Sequence, residues 1–130
     1  YTRFDVDDAR NNRRSIYRFL VRSVPDPFME CLDCADPSIL TPTRNATLTS
    51  LQALALLNNP LATRQAEHFS QRLKATHAAT PEQIEAAFQI ALGRPPTDNE
   101  RAALAAYAER RGLANACRVI LNCNEFGFID

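Results

Sequence analysis

Glycine is scarce in this chain, with three in 130 residues. That scarcity excludes collagen-like and glycine-rich low-complexity sequence, and an apolar content of 45% against 23% charged places the chain with ordinary globular domains. Net charge is missing too, because 15 basic residues balance 15 acidic ones. A nucleic-acid binder draws much of its affinity from phosphate contacts and carries a basic excess, so no nucleic-acid partner is expected. Long apolar runs are also absent. A bilayer-spanning helix needs about 18 or more consecutive apolar residues, and the densest stretch, 48–57, is interrupted by Thr49, Ser50 and Gln52. No membrane insertion is expected. The chain opens on Tyr1 with no basic-then-apolar leader, which reads as a processed or excised piece of a larger protein.

What the chain has in quantity is helix punctuation. Thr49-Ser50-Leu51-Gln52 is a capping box, and the helix it opens, to about Asn58, carries Leu51, Ala53, Leu54, Ala55, Leu56 and Leu57 with almost no polar face. Such a segment is expected near the centre of the core. Asn59 before Pro60 starts a helix to about Ala75 with Ala62, Ala66, Phe69 and Leu73 on one stripe. Thr80-Pro81-Glu82-Gln83 opens the next, where Ile84, Ala87, Phe88, Ala91 and Leu92 recur at helical spacing before Gly93 stops it. A further helix runs from Asp98 to Arg111, burying Leu104, Tyr107 and Ala108, and stops at Gly112. The last holds Leu113, Ala116, Cys117, Ile120 and Leu121, and the aromatic tail Phe126-Gly127-Phe128-Ile129 is expected to dock on the bundle.

The first third is less regular. Residues 1–12 read as an extended arm. Over 13–24, Ile16, Tyr17, Leu20, Val21 and Val24 follow helical spacing while Tyr17, Phe19 and Val21 alternate like a strand; the helix is favoured. Pro25-Asp26-Pro27 ends that element, and a long loop carrying prolines and cysteines follows over 28–46. The fold class is therefore all-α, a compact bundle of five or six helices with that loop after the first element. At this length one domain, 1–130, buries about 65–70% of its unfolded surface.

Several phrases together resemble one family: Arg13-Arg14-Ser15-Ile16-Tyr17-Arg18-Phe19, the Leu32-Asp33-Cys34-Ala35-Asp36 loop, Leu51-Gln52-Ala53-Leu54-Ala55-Leu56-Leu57-Asn58, Ala91-Leu92-Gly93-Arg94-Pro95-Pro96-Thr97, and Asn122-Cys123-Asn124-Glu125-Phe126. They are similar to the C-terminal part of a planctomycete-specific domain of unknown function often found with cytochrome C-like domains in large exported bacterial proteins. The resemblance implies an extracytoplasmic (periplasmic or secreted) setting, with other domains of the same polypeptide as partners and haem only in domains outside this segment. It carries over no catalytic residue. The family often reads Ala at Cys34 and Leu at Cys123, so neither thiol is expected to be a shared functional group.

Candidate chemistry centres on Cys31-Leu32-Asp33-Cys34. A haem attachment site needs His directly after the second cysteine, and Ala35 stands there, so no cofactor is expected in this segment. With Cys117 and Cys123 the chain has four thiols, but zinc sites use two tight pairs and the second pair is widely spaced, so no metal is expected. Two readings of the thiols stay open. One is a disulfide, Cys31 with Cys34 or a loop cysteine with a helix cysteine; the other is buried thiols acting as small hydrophobes. A thioredoxin-like role lacks its strand-then-helix context. Asp33 and Asp36, with Arg44, form either a carboxylate pair suited to acid/base work or calcium, or a set of turn-capping side chains.

Arg10, Arg14, Arg18 and Arg22 form a stripe that either meets an acidic partner or is a solvated helix face. Arg94 reads as structural, at a helix C-terminus whose carbonyls and dipole it complements. Asn122, Asn124 and Glu125 either satisfy backbone groups or line a cleft, and His68 and His77 read as surface residues. A helix-turn-helix on the fourth and fifth helices is opposed by Glu82, Asp98 and Glu100 where phosphate would approach. The expected function is a non-catalytic structural or interaction module of a larger exported bacterial protein. The alternative is the C-terminal part of an extracytoplasmic redox or polysaccharide enzyme whose active site upstream domains and the 31–44 loop complete.

Overall fold

Helix punctuation sets the architecture. The computed structural model describes residues 5–8, 10, 17, 26–34, 40 and 49–127. Among them lie seven helices and no strand: α1 (Pro27–Cys31), α2 (Ser50–Asn58), α3 (Pro60–Thr76), α4 (Thr80–Leu92), α5 (Asp98–Arg111), α6 (Leu113–Ile120) and α7 (Asn124–Gly127). The chain divides into two compact units, residues 1–59 and 60–130.

In the first unit, the described residues 5–8 of the expected arm form a turn, in which the Asp7 amide donates to the Asp5 carboxylate at 3.0 Å. The stretch 13–24, where helix and strand patterns compete, lies outside the described residues apart from Tyr17. The loop expected over 28–46 is corrected at its start, because Pro27–Cys31 is helical. Asp26, read as part of a stop signal, is a start signal. Its carboxylate accepts from the Phe28 amide at 3.0 Å, and Pro27 sits at the first helical position, where a missing N–H costs nothing.

Helix α2 packs on α1 and opens with the expected capping box: Thr49 Oγ1 accepts from the Gln52 amide at 3.2 Å, and Gln52 Oε1 accepts from the Thr49 amide at 2.9 Å. Its expected place at the centre of the core is overturned. The residue α2 buries is Gln52, whereas Leu51 is 62% and Leu54 56% exposed. A helix apolar on nearly every side has no preferred apolar face. The polar residue decides the inward side instead, because a glutamine turned inward has to be hydrogen-bonded.

The second unit follows its stripes closely. α3 buries Ala66, Ser70 and Leu73, with Phe69 partly buried beside them. α4 buries Gln83, Ile84, Ala87 and Phe88 and ends at Gly93, whose φ of 70° is the left-handed value that glycine adopts without penalty. Its start carries no side-chain cap; Gln83 Nε2 instead donates to the His77 carbonyl at 2.8 Å, fastening α4 to the preceding connection. α5 opens with a second complete capping box, Thr97 with Glu100. Gly112, at φ 88° and ψ 149°, ends α5 and begins α6 in one residue.

Helix α6 closes the core. Leu113, Ala116, Cys117 and Ile120 recur at three- and four-residue steps and all four are buried, with α6 lying against α3, α4 and α5. Leu73, Ile84 and Ile120 are among the largest fully buried side chains, and each stabilises the fold by about 1.5–3 kcal/mol through burial. The short α7 packs on α4 and buries no residue; Phe126 is half-exposed, while Phe128 and Ile129 of the expected aromatic tail lie outside the described residues. The two shortest helices, α1 and α7, are the additions to the expected bundle.

The burial pattern has a direct test. Ile120→Ala should destabilise the protein by about 2–5 kcal/mol, whereas Leu54→Ala should change stability by less than about 0.5 kcal/mol. Denaturation followed by circular dichroism measures both, and a large Leu54 effect would restore α2 to a core position.

Candidate functional site

The candidate loop begins as a helix terminus. The Cys34 amide donates to the Met29 carbonyl at 3.0 Å and the Asp33 amide to the Glu30 carbonyl at 3.2 Å, the paired bonds of a Schellman motif. Asp33 occupies the left-handed position, with φ 56°, where glycine is usual. The side chain gives a reason for aspartate at that position. Its carboxylate accepts from Gln52 Nε2 at 2.9 Å, so the end of α1 is joined to the capping box of α2 through a buried glutamine. Cys31 and Cys34 flank this turn as half-buried free thiols. Asp36 and Arg44 lie outside the described residues. Among the described residues, Asp33 therefore sits in a turn that closes one helix and ties it to the next.

Of the arginine stripe, Arg10 is described; Arg14, Arg18 and Arg22 lie outside the described residues. Arg10 forms a two-pronged ion pair with Asp8, Nε and Nη2 reaching the carboxylate at 3.0 and 2.7 Å. The bond to Asp8 raises the Arg10 pKa further.

The densest polar assembly among the described residues is centred on Arg94. Its Nη1 and Nη2 donate to Glu100 at 3.0 and 2.9 Å, Nη2 and Nε donate to Glu125 at 2.8 and 3.1 Å, and Nη1 reaches the Pro95 carbonyl at 3.2 Å. A guanidinium has five N–H donors in a planar fork, and this arrangement engages all of them. The guanidinium carbon also stands 5.3 Å from the Phe88 ring centre, so the cation covers an aromatic face of α4. From its place at a helix C-terminus Arg94 is expected to be structural and to serve the α4 carbonyls; the structure directs it to carboxylates on α5 and α7 instead. The Glu125 partner lies 31 residues along the chain, and no local pattern announces it. Glu100 also accepts from the Thr97 amide at 2.7 Å. The Arg94 bonds, followed by those from Thr97, hold the Glu100 carboxyl at about 2, below its ordinary 4.5.

Of the two open readings of the thiols, the structure has all four cysteines free. Cys117 is fully buried, and burial pushes its thiol up to about 11, the behaviour of a small core hydrophobe. Helix α6 ends before Cys123, whose Sγ–H donates to the Val119 carbonyl at 3.5 Å and whose thiol is raised first by burial and then by Glu125 and Glu100. Asn122 turns inward a buried Oδ1 that no donor among the described residues reaches, while Glu125 is engaged by Arg94. Among the described residues no three or more His, Cys, Asp or Glu side chains gather as a metal ion would require. None of the described helices is long and apolar enough to cross a membrane.

The family described as PSD1, protein of unknown function (DUF1553), matches residues 2–108. No curated protein and no solved structure matches the chain.

Asp33→Asn keeps an acceptor for Gln52 and a residue type that tolerates the left-handed region, so it should leave stability nearly unchanged. Asp33→Ala should cost about 1–2 kcal/mol from the left-handed backbone alone, measured by denaturant unfolding; equal stability of the two variants would refute the linking role. For Glu100, a depressed folded-state value means that its stabilisation is complete above 4.5 and drains away as pH falls from 4.5 towards 2. Glu100→Gln keeps the capping box but loses the charge pair. Its Tm deficit against the wild type should be greatest at neutral pH and vanish near the acid end of that window.

Proposed function

The chain belongs to the PSD1 family of unknown function, and from that premise we propose that it is a non-catalytic structural or interaction module within a larger exported bacterial protein. In this reading it is the C-terminal part of a planctomycete-type polypeptide. It works in the periplasm or outside the cell, and it meets other domains of the same polypeptide, including haem-bearing cytochrome C-like ones. It takes no cofactor itself.

The observation that carries this reading is the engagement of the best-placed polar groups in holding helices together. Arg94 has all its donors engaged by Glu100, Glu125 and Pro95, and Asp33 lies in a helix-terminating turn bonded to Gln52. A catalytic or ligand-binding group needs an unspent donor or acceptor facing the reactant. The balanced charge of the chain argues against a nucleic-acid role.

One observation favours the enzymatic alternative. A non-glycine residue at positive φ stores backbone strain, and such residues cluster at active sites; Asp33 is one. Under that alternative, upstream domains and the 31–44 loop complete a redox or polysaccharide-processing site.

The two readings separate in the full-length gene product. A module should bind the remainder of its polypeptide when expressed separately, in pull-down or calorimetry, and Asp33→Asn should leave both that binding and any activity of the whole protein unchanged. Loss of turnover in a stably folded Asp33→Asn protein would replace the module with an enzyme part.

A further inference from the structure

The paired thiols of the α1 turn are not accounted for by a scaffold role, and their placement differs from that of the other two. Cys31 is the last residue of α1 and Cys34 the residue whose amide closes the Schellman motif, so both lie within one turn and both are half-buried. Cys117, in contrast, is sealed in the core, and Cys123 donates its S–H to a backbone carbonyl. Only Leu32 and Asp33 separate the pair. Their backbone is held at φ −96°, ψ 29° and at φ 56° by the bonds to Glu30 and Met29.

We propose that Cys31 and Cys34 are a redox-responsive pair, oxidised by a low-molecular-weight disulfide to an intra-turn disulfide that unlocks α1 from α2. In the first step one thiolate attacks a sulfur of the oxidant; the oxidant's S–S bond breaks, a mixed disulfide forms and one thiol leaves. The second thiolate attacks the protein sulfur of that mixed disulfide and expels the second thiol. Two protein thiols lose two electrons, and the oxidant is reduced to two thiols that take up the two protons. Proximity favours the second step, because the resolving sulfur is tethered within a turn of the mixed disulfide.

The structural consequence follows from competing constraints on the same two residues. A disulfide demands its own Cβ–Cβ separation and dihedral, whereas the reduced turn holds Asp33 in a region that costs an L-residue. Closing the ring moves Leu32 and Asp33 out of the Schellman geometry. The Asp33–Gln52 bond, which depends on that geometry, is then lost. The inference goes beyond the module reading and does not depend on export, since the oxidant is supplied in the test.

The test uses the reduced 130-residue chain at fixed neutral pH with graded ratios of oxidised to reduced glutathione, quenched by alkylation and mapped by mass spectrometry. The expected product is a Cys31–Cys34 disulfide, formed at least about tenfold faster than any change at Cys117 or Cys123. Cys31→Ser and Cys34→Ser should each stop at a glutathione adduct on the remaining thiol. In the oxidised chain, amide exchange at Asp33 and Cys34 should rise at least about tenfold while α4 amides keep their protection. Persistent glutathione adducts in the wild type, pairing of either thiol with Cys117 or Cys123, or unchanged exchange at Asp33 and Cys34 would overturn the proposal. Should the serine variants fail to fold, the wild-type mapping and exchange decide alone.

Discussion

The corner between α4 and α5 depends on one guanidinium. Arg94 follows the glycine that ends α4, and from there it holds the first turn of α5 through Glu100 and the short α7 through Glu125 while covering Phe88. A partly exposed ion pair is ordinarily worth little, because solvent screens it and two long side chains must be immobilised. Arg94 differs in geometry. Its planar fork meets two carboxylates at once, and Glu100 is already fixed as the partner of Thr97 in a capping box. The entropy of ordering Glu100 is thus shared between a helix start and a connection between helices. That sharing is how a turn of Gly93, Arg94, Pro95 and Pro96 becomes a defined corner.

Within each unit, hydrogen-bonded polar residues set local geometry and apolar stripes fill in behind them. Gln52 is the clearest case: it completes a helix cap with one end of its amide and holds Asp33 with the other. Gln83 does similar work for α4 by reaching the His77 carbonyl. Both glutamines are buried, and a buried amide without partners would cost more than its bonds return. These residues therefore fix orientation where apolar patterning alone leaves a choice.

The elements readable from sequence were those whose signals are local. The start of α5 at Asp98, its stop before Gly112 and the left-handed end of α4 at Gly93 follow from residues within one turn of each boundary. α1 is not legible in the sequence, because five residues are too few to show a period and Asp26 between two prolines looks like an ending. The inward face of α2 is not legible either, because a uniformly apolar helix carries no directional information. Of the candidate site, the turn-capping option for Asp33 was visible as one of two readings, but its bond to Gln52 joins residues 19 apart. The role of Arg94 was visible in kind, and its Glu125 partner was hidden by distance along the chain. Asp36, Arg44 and most of the arginine stripe fall outside the described residues.

The position of α6 bears on when the core can close. The most extensive helix pairing in the second unit is between α3 and α6, and α6 contributes four of the ten buried apolar residues among those described. Without Leu113–Ile120, Ala66 and Leu73 would lose the apolar partners that α6 supplies, so the core of the second unit closes only once its sixth helix is in place.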